Sequence, residues 1–236
     1  MHSRMVILPD TVELNSSAIQ SLLDRKHSDA QLSFRRAIQS LKSRATIADE
    51  SPSCENTVLE ASGMTCYSVD LDESDSVVGS AMFGNGTVPS YNKAFQLVSS
   101  TGVLDETHLD FSAATLLYNM ALTYHRSGLV NDVPAHLEKA CSIYKLSTDT
   151  LAREQNRGLL ARRDVAVLFL AGVNNLASIH SFQHDVCETR HCVDVMKQYV
   201  LNFPSDAHDN DEECAFFVRT VVLFELSGVM ELAPAA

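Results

Sequence analysis

Three histidines and a cysteine come closest to a reactive constellation in this chain. His180, His184, Cys187 and His191 recur at spacings of four, three and four residues. On one unbroken helix they would share a face, and imidazole with thiolate is a donor set that suits zinc. A turn near Gln183–Asp185 would instead leave His180 on one helix and the others on the next, as satisfied or exposed side chains, with Cys192 pointing elsewhere. Serine, histidine and aspartate all occur, but GxSxG, GxxxxGK[ST] and GxGxxG do not, and Phe83-Gly84-Asn85-Gly86 reads as a turn rather than a phosphate cradle. A cysteine nucleophile could meet a histidine only through the fold, since such partners are adjacent in space and not in sequence. Arg153, Arg157, Arg162 and Arg163 form a basic cluster. It reads as a solvated helix face beside Glu154 and Asp164, or as a docking spot for an acidic segment. These residues point to no cofactor and no metal.

The elements that must position them are mostly helical. The first hairpin is expected at Asn15–His27 and Ser28–Arg44, with Ser16 or Ser17 as the cap and Ala30, Phe34, Ala37 and Leu41 on one face of the second helix. Residues 45–65 read as linker. From Cys66 to Ser100 apolar and polar residues alternate, in Cys66–Leu71 and Tyr91–Leu97, with Val77-Val78 and Ala81–Phe83 between them before the Gly84-Asn85-Gly86 turn signal. Two or three short strands, forming a ribbon laid on the helices, are expected. Helices resume near Thr107, with Thr107 or Asp105 as cap and Gly128 as the C′ stop. Asn131 or Asp132 would cap the next helix, with Pro134 in its first turn. Asp149–Gln183 is helical by pattern, broken near Gly158 to Arg163, and Val165 to Ile179 is apolar nearly all round, as in a helix buried on several sides. Val186–Val200 would be its hairpin partner, and Cys214–Leu226 a last helix ended by Gly228.

The 236 residues suit one domain, 1–236, with an acidic linker and short-strand insertion at 45–100. Residues 1–44 carry a net charge of +3, whereas residues 45–92 hold eight acids and no lysine or arginine. A net charge of −12 argues against nucleic acid and anionic membrane as partners, because both demand cationic surface. The opening MHSRMVILPD is too short in apolar residues for a secretory signal, and the runs Val165–Val173 and Ala215–Leu226 are shorter than a bilayer span. The six cysteines are scattered without a CxxC pair, as reduced thiols in a cytoplasmic or nuclear protein would be.

One stretch, Asn119–Ala140 (NMALTYHRSGLVNDVPAHLEKA), resembles the tetratricopeptide-repeat family. Ala121 and Tyr124 stand in the first helix, Gly128 at the turn, and Leu137 and Ala140 in the second. Residues 15–44 are similar through Ala30, Phe34 and Ala37, and residues 170–200 through Asn175-Leu176-Ala177, His180, Val193 and Met196. Two departures stand out: Val133 replaces the usual small residue, and Asn119 and Asn175 lie 56 residues apart, so the hairpins are unevenly spaced.

The resemblance implies a mainly α fold of antiparallel hairpins stacked as a short superhelix, closed by a capping helix. It also implies a concave groove lined by the first helix of each pair. By the family's pattern Asn119, Thr123, Asn174 or Asn175, and Ser178 face that groove. Asparagine amides there would clamp an extended peptide backbone, offering donor and acceptor together, or would tie helices to one another. The positions that clasp acidic tails in one subclass carry Asn15, Ser16, Ala171 and Asn175 here, so no cation is available for a carboxylate and that mode is not expected. The expected function is a non-catalytic adaptor for a protein or peptide partner. The alternatives are an enzyme with a cleft between helices, or a structural subunit with an apolar surface on Cys214–Leu226.

Overall fold

Pro9 opens helix α1 (Pro9–Leu23), where its ring presets the helical φ and its missing N–H would have had no partner. The helix therefore begins ahead of Asn15, and Ser16 and Ser17 are mid-helix residues rather than caps. Ser16 Oγ instead donates to the Val12 carbonyl one turn back, at 2.9 Å. The computed structural model describes residues 9–49, 64–71, 88–99, 106–155, 162–201 and 212–231. Within them α1 is followed by α2 (His27–Asp49), β1 (Met64–Asp70), β2 (Lys93–Ser99), α3 (Glu106–Asn131) and α4 (Pro134–Gln155). Then come α5 (Arg163–Phe182), α6 (Val186–Leu201) and α7 (Glu212–Glu231). The protein is mainly α with one small antiparallel ribbon, as the residue pattern led us to expect. The expected cap at Asp105, the segment Val77–Phe83 and the Gly84-Asn85-Gly86 turn lie outside the described residues.

The same turn closes the three helical hairpins among the described residues. Arg25, Asp132 and His184 each take a left-handed backbone, with φ of 61°, 51° and 60°. The N–H groups of Lys26, Val133 and Asp185 reach back to the carbonyls of Ser21, Gly128 and His180 at 2.8, 3.0 and 2.9 Å. Such bonds satisfy carbonyls that the end of a helix leaves without partners. In every case the next helix begins two residues further on, at His27, Pro134 and Val186.

Gly128 is thus not the stop that its position suggested. Helix α3 runs on to Asn131, and Asp132 takes the left-handed role. Nor does Asn131 cap α4, since its amide donates back to the Ser127 carbonyl at 3.0 Å. Gly128 serves close packing: a Cβ there would lie 2.7 Å from Leu137 Cδ2, 2.9 Å from its Cγ and 3.2 Å from its backbone N. The tightest contacts are to a side chain, but the backbone contact limits how far α4 can give way. Gly128→Ala is expected to lower stability by about 1–2 kcal/mol, because overpacking outweighs the roughly 1 kcal/mol gained in helix propensity. A lower thermal midpoint by circular dichroism checks this.

The chain forms two compact units, Met1–Leu71 with Lys93–Glu154, and Asp72–Asn92 with Gln155–Ala236. In the first unit α1 and α2 form a hairpin, and α2 packs on α3. Ala18, Leu22, Ala30, Phe34 and Ala37 are fully buried there, so small residues alternate with large ones. Helices α3 and α4 meet through Tyr118 against Tyr144 (5.4 Å between centroids) and through Ser147 Oγ donating to the Ala114 carbonyl at 2.8 Å. Tyr124 accepts a hydrogen bond from the Arg35 guanidinium and lies 4.6 Å beneath the Lys139 ammonium. The ribbon pairs Met64 with Ser99 through to Asp70 with Lys93. Its β2 strand buries Ala94, Phe95 and Leu97, while Thr65 and Tyr67 of β1 are exposed.

In the second unit α7 packs against the α5–α6 hairpin. Every residue from Val165 to His180 of α5 is buried, as its all-round apolar pattern requires. Although its longest apolar run is short, α5 as a whole is long and apolar enough to cross a membrane by length and composition. In the fold it is a core helix, with 83% of that stretch buried. Helix α7 continues past Gly228 to Glu231.

Candidate functional site

An asparagine on the buried face of a helix must find hydrogen-bond partners, because an unpaired buried amide costs several kcal/mol. In the first unit Asn15 of α1 and Asn119 of α3 are both fully buried. Each finds the same partner, the backbone of Phe95 in β2. Asn119 Oδ1 accepts the Phe95 N–H at 2.8 Å, and Asn119 Nδ2 donates to the Phe95 carbonyl at 2.8 Å. The same Nδ2 donates to Asn15 Oδ1 at 3.0 Å, and Asn15 Nδ2 donates to the Phe95 carbonyl at 3.2 Å. The backbone of one residue is thus held by two amides. An antiparallel ladder turns every second residue away from its partner strand, which leaves the N–H and C=O of Phe95 on the helix side. The Tyr118 hydroxyl takes the Lys93 carbonyl on the same edge at 3.2 Å, and its ring meets that of Phe95 edge-on at 5.0 Å.

The second unit repeats the device on another extended segment. Pro89 restricts Val88 to extended backbone and fixes its own φ. Asn175 of α5 accepts the Tyr91 N–H at 2.7 Å and donates to the Tyr91 carbonyl at 3.1 Å. Asn174 donates to the Pro89 carbonyl at 2.7 Å. The hydroxyls of Ser90 and Ser178 share a bond of 2.7 Å, and Ser181 Oγ accepts the Val88 N–H at 3.2 Å. The Tyr91 ring stacks on Phe217 at 5.1 Å and meets Phe216 edge-on at 5.3 Å, while its hydroxyl donates to Glu213 Oε1 at 3.0 Å.

Four of the five residues that the repeat pattern places in a groove therefore grip backbone or side chain of this chain itself: Asn119, Asn174, Asn175 and Ser178. Thr123 does not, since its hydroxyl donates to the Asn119 carbonyl within α3 at 2.9 Å. Sequence reasoning missed Asn15 as a member of the clamp, and Ser181 and Glu213 altogether. The signal for Asn15 was available: an amide on the same helix stripe as Ala18, Ile19 and Leu22 has to bond something. Compared with protein-family models, curated proteins and solved structures, the chain matches none.

The other chemistry-bearing residues do not converge. The turn at His184 separates His180, buried on α5, from exposed Cys187 and His191 on α6. His180 Nδ1 faces the Asp185 carboxylate at 3.9 Å. Among the described residues no three His, Cys, Asp or Glu side chains gather as a metal would require. Arg162 folds onto Asp164 at 2.7 Å, Arg163 reaches Glu213 at 3.5 Å, and Arg153 bonds the Asp149 carbonyl at 3.4 Å. Arg157 lies outside the described residues.

Among the described residues two groups have strongly moved acidities, both through burial and both toward the neutral form. His125 on α3 is lowered to about 4 by burial and by the neighbouring Arg126. The Cys141 thiol on α4 is pushed up to about 11, chiefly by burial. Thiolate is the reactive form, so Cys141 should resist alkylation. In the native protein at mildly alkaline pH, iodoacetamide is expected to label exposed Cys187 first, with Cys141 and buried Cys192 labelled only on unfolding. Mass-spectrometric site mapping checks the order.

Proposed function

We propose that this chain is a non-catalytic adaptor of the tetratricopeptide-repeat type, which holds an extended segment of a protein partner by its backbone. The supporting observation is the paired amide: Asn175 takes both the N–H and the C=O of Tyr91, and Asn119 does the same at Phe95. Such a pair reads extended backbone and is indifferent to side chain, which suits a site that accepts peptide. Both clamps are filled by the chain, so a partner segment must displace the internal one. The acidic net charge and the scattered cysteines, with no CxxC pair, support a cytoplasmic setting without nucleic acid or membrane.

Selection of peptides from a random displayed library on the full chain tests the reading. Selected peptides are expected to lose at least about tenfold in affinity on Asn119→Ala or Asn175→Ala, a loss of roughly 1.4 kcal/mol. Selected peptides that bind both variants as well as the parent would sink it.

A specific observation favours a second reading, a structural subunit. Val218, Val222 and Leu226 form an exposed stripe at four-residue spacing on α7, with 40%, 49% and 57% exposure. A terminal capping helix is expected to show a polar outer face. If the stripe is a contact surface, Val222→Asp removes that association and leaves peptide binding at the asparagines intact.

A further inference from the structure

Tyr91 and Pro89 present the same edge of an extended segment, yet the two asparagines that meet them are not equally satisfied. Asn175 is used on both sides of its amide. Asn174 is fully buried and donates to the Pro89 carbonyl, but its Oδ1 has no hydrogen-bond partner among the described residues. The reason lies in the occupant. Proline has no N–H, so the acceptor half of the Asn174 amide meets nothing to accept from. Any other residue in that place would carry the donor that Tyr91 carries for Asn175.

We propose that this second-unit site reads an extended segment of a partner protein with tyrosine in the fourth position and a non-proline residue in the second, and that Val88–Tyr91 is its built-in, weaker occupant. The inference rests on the adaptor reading and names the partner's chemistry. Four features define the register. The first residue gives its N–H to Ser181, and the second gives its C=O, and in the partner also its N–H, to Asn174. The third places a small hydroxyl at Ser178. The fourth is tyrosine, held by Asn175 at the backbone, by Phe216 and Phe217 at the ring, and by Glu213 at the phenol. The Glu213 carboxylate accepts a hydrogen bond from the phenol, and a phosphate on that oxygen would remove the donor, so the tyrosine must be unphosphorylated.

The internal segment has the advantage of its tether, which acts as a concentration in the millimolar range. Its missing hydrogen bond is what allows displacement. A buried acceptor left unpaired weakens the internal occupant, and the chain entropy that proline saves offsets only part of that loss.

The test uses the full chain and two labelled peptides, Gly-Thr-Val-Pro-Ser-Tyr-Asn and Gly-Thr-Val-Ala-Ser-Tyr-Asn, followed by fluorescence anisotropy. The alanine peptide is expected to bind about tenfold tighter than the proline peptide, and phosphorylating its tyrosine is expected to abolish binding. The preference is expected to vanish on Asn174→Ala. Pro89→Ala in the chain strengthens the internal occupant and is expected to weaken the alanine peptide by about tenfold. Should Asn174→Ala fail to fold, amide exchange in the unmodified protein decides. Excess alanine peptide is expected to speed exchange at the Tyr91 amide more than excess proline peptide does. Equal affinity for the two peptides overturns the inference, as does failure of both to bind with no change in Tyr91 exchange. If library peptides of unrelated sequence still depend on Asn119 or Asn175, the adaptor reading stands while this inference falls.

Discussion

Asn119→Ala is expected to destabilise the protein by about 3–5 kcal/mol, a large share of the stability of a domain of this size. Three bonds disappear with the amide. The Phe95 N–H loses its acceptor, Asn15 Oδ1 loses its donor, and the Phe95 carbonyl is left with Asn15 alone. Both orphaned groups are buried, and each costs about 1–3 kcal/mol when water cannot replace the partner. Asn15→Ala is expected to cost less, about 1–2 kcal/mol, because Asn119 still serves both sides of Phe95. Urea denaturation followed by circular dichroism measures both. A loss under about 1 kcal/mol for Asn119→Ala would mean that the segment is not held as described.

Acid is expected to weaken the fold through one histidine. His125 is buried on α3 with its ring edge-on to Tyr144 at 6.0 Å. Burial, and to a lesser degree the Arg126 charge, lowers its pKa from 6.5 to about 4. Between those values the unfolded chain binds the proton and the folded chain does not. This contribution is therefore fully present above pH 6.5 and is lost as pH falls through the folded pKa of about 4. The whole effect amounts to about 3 kcal/mol. His125→Gln is expected to flatten this part of the stability–pH curve, measured as the difference in denaturation midpoints across the range. A slope unchanged by the substitution would assign the acid sensitivity to other groups.

The hairpins were legible because apolar spacing carries them: the Phe34 face of α2, the Val165–Ile179 core of α5, and the nesting of Leu137 on α3. Their boundaries were harder, since Ser16 and Ser17 looked like caps and the first helix in fact opens at Pro9. A turn near Gln183–Asp185 was legible, but the left-handed backbone of the turns was hidden because Arg25, Asp132 and His184 are not glycines, and Gly128 drew the second turn four residues early. The candidate site was half legible. Asn119, Asn174 and Asn175 stood out because the repeat pattern sets them facing a groove, where an amide can grip extended backbone. What fills them could not be read, because Tyr91 and Phe95 are remote from those helices in sequence and an alternating segment looks like any strand. The family pattern pointed to a groove for a guest, and in this chain Val88–Tyr91 and Phe95 lie in those clamps.

Residue-resolved amide exchange at Tyr91 and Phe95 tests the central claim, that asparagines of α3 and α5 hold extended segments of this chain by their backbones. Both amides are expected to exchange at least about a hundredfold more slowly than open chain, with Asn119→Ala releasing Phe95 and Asn175→Ala releasing Tyr91. Exchange of both amides at open-chain rates in the unmodified protein would contradict it.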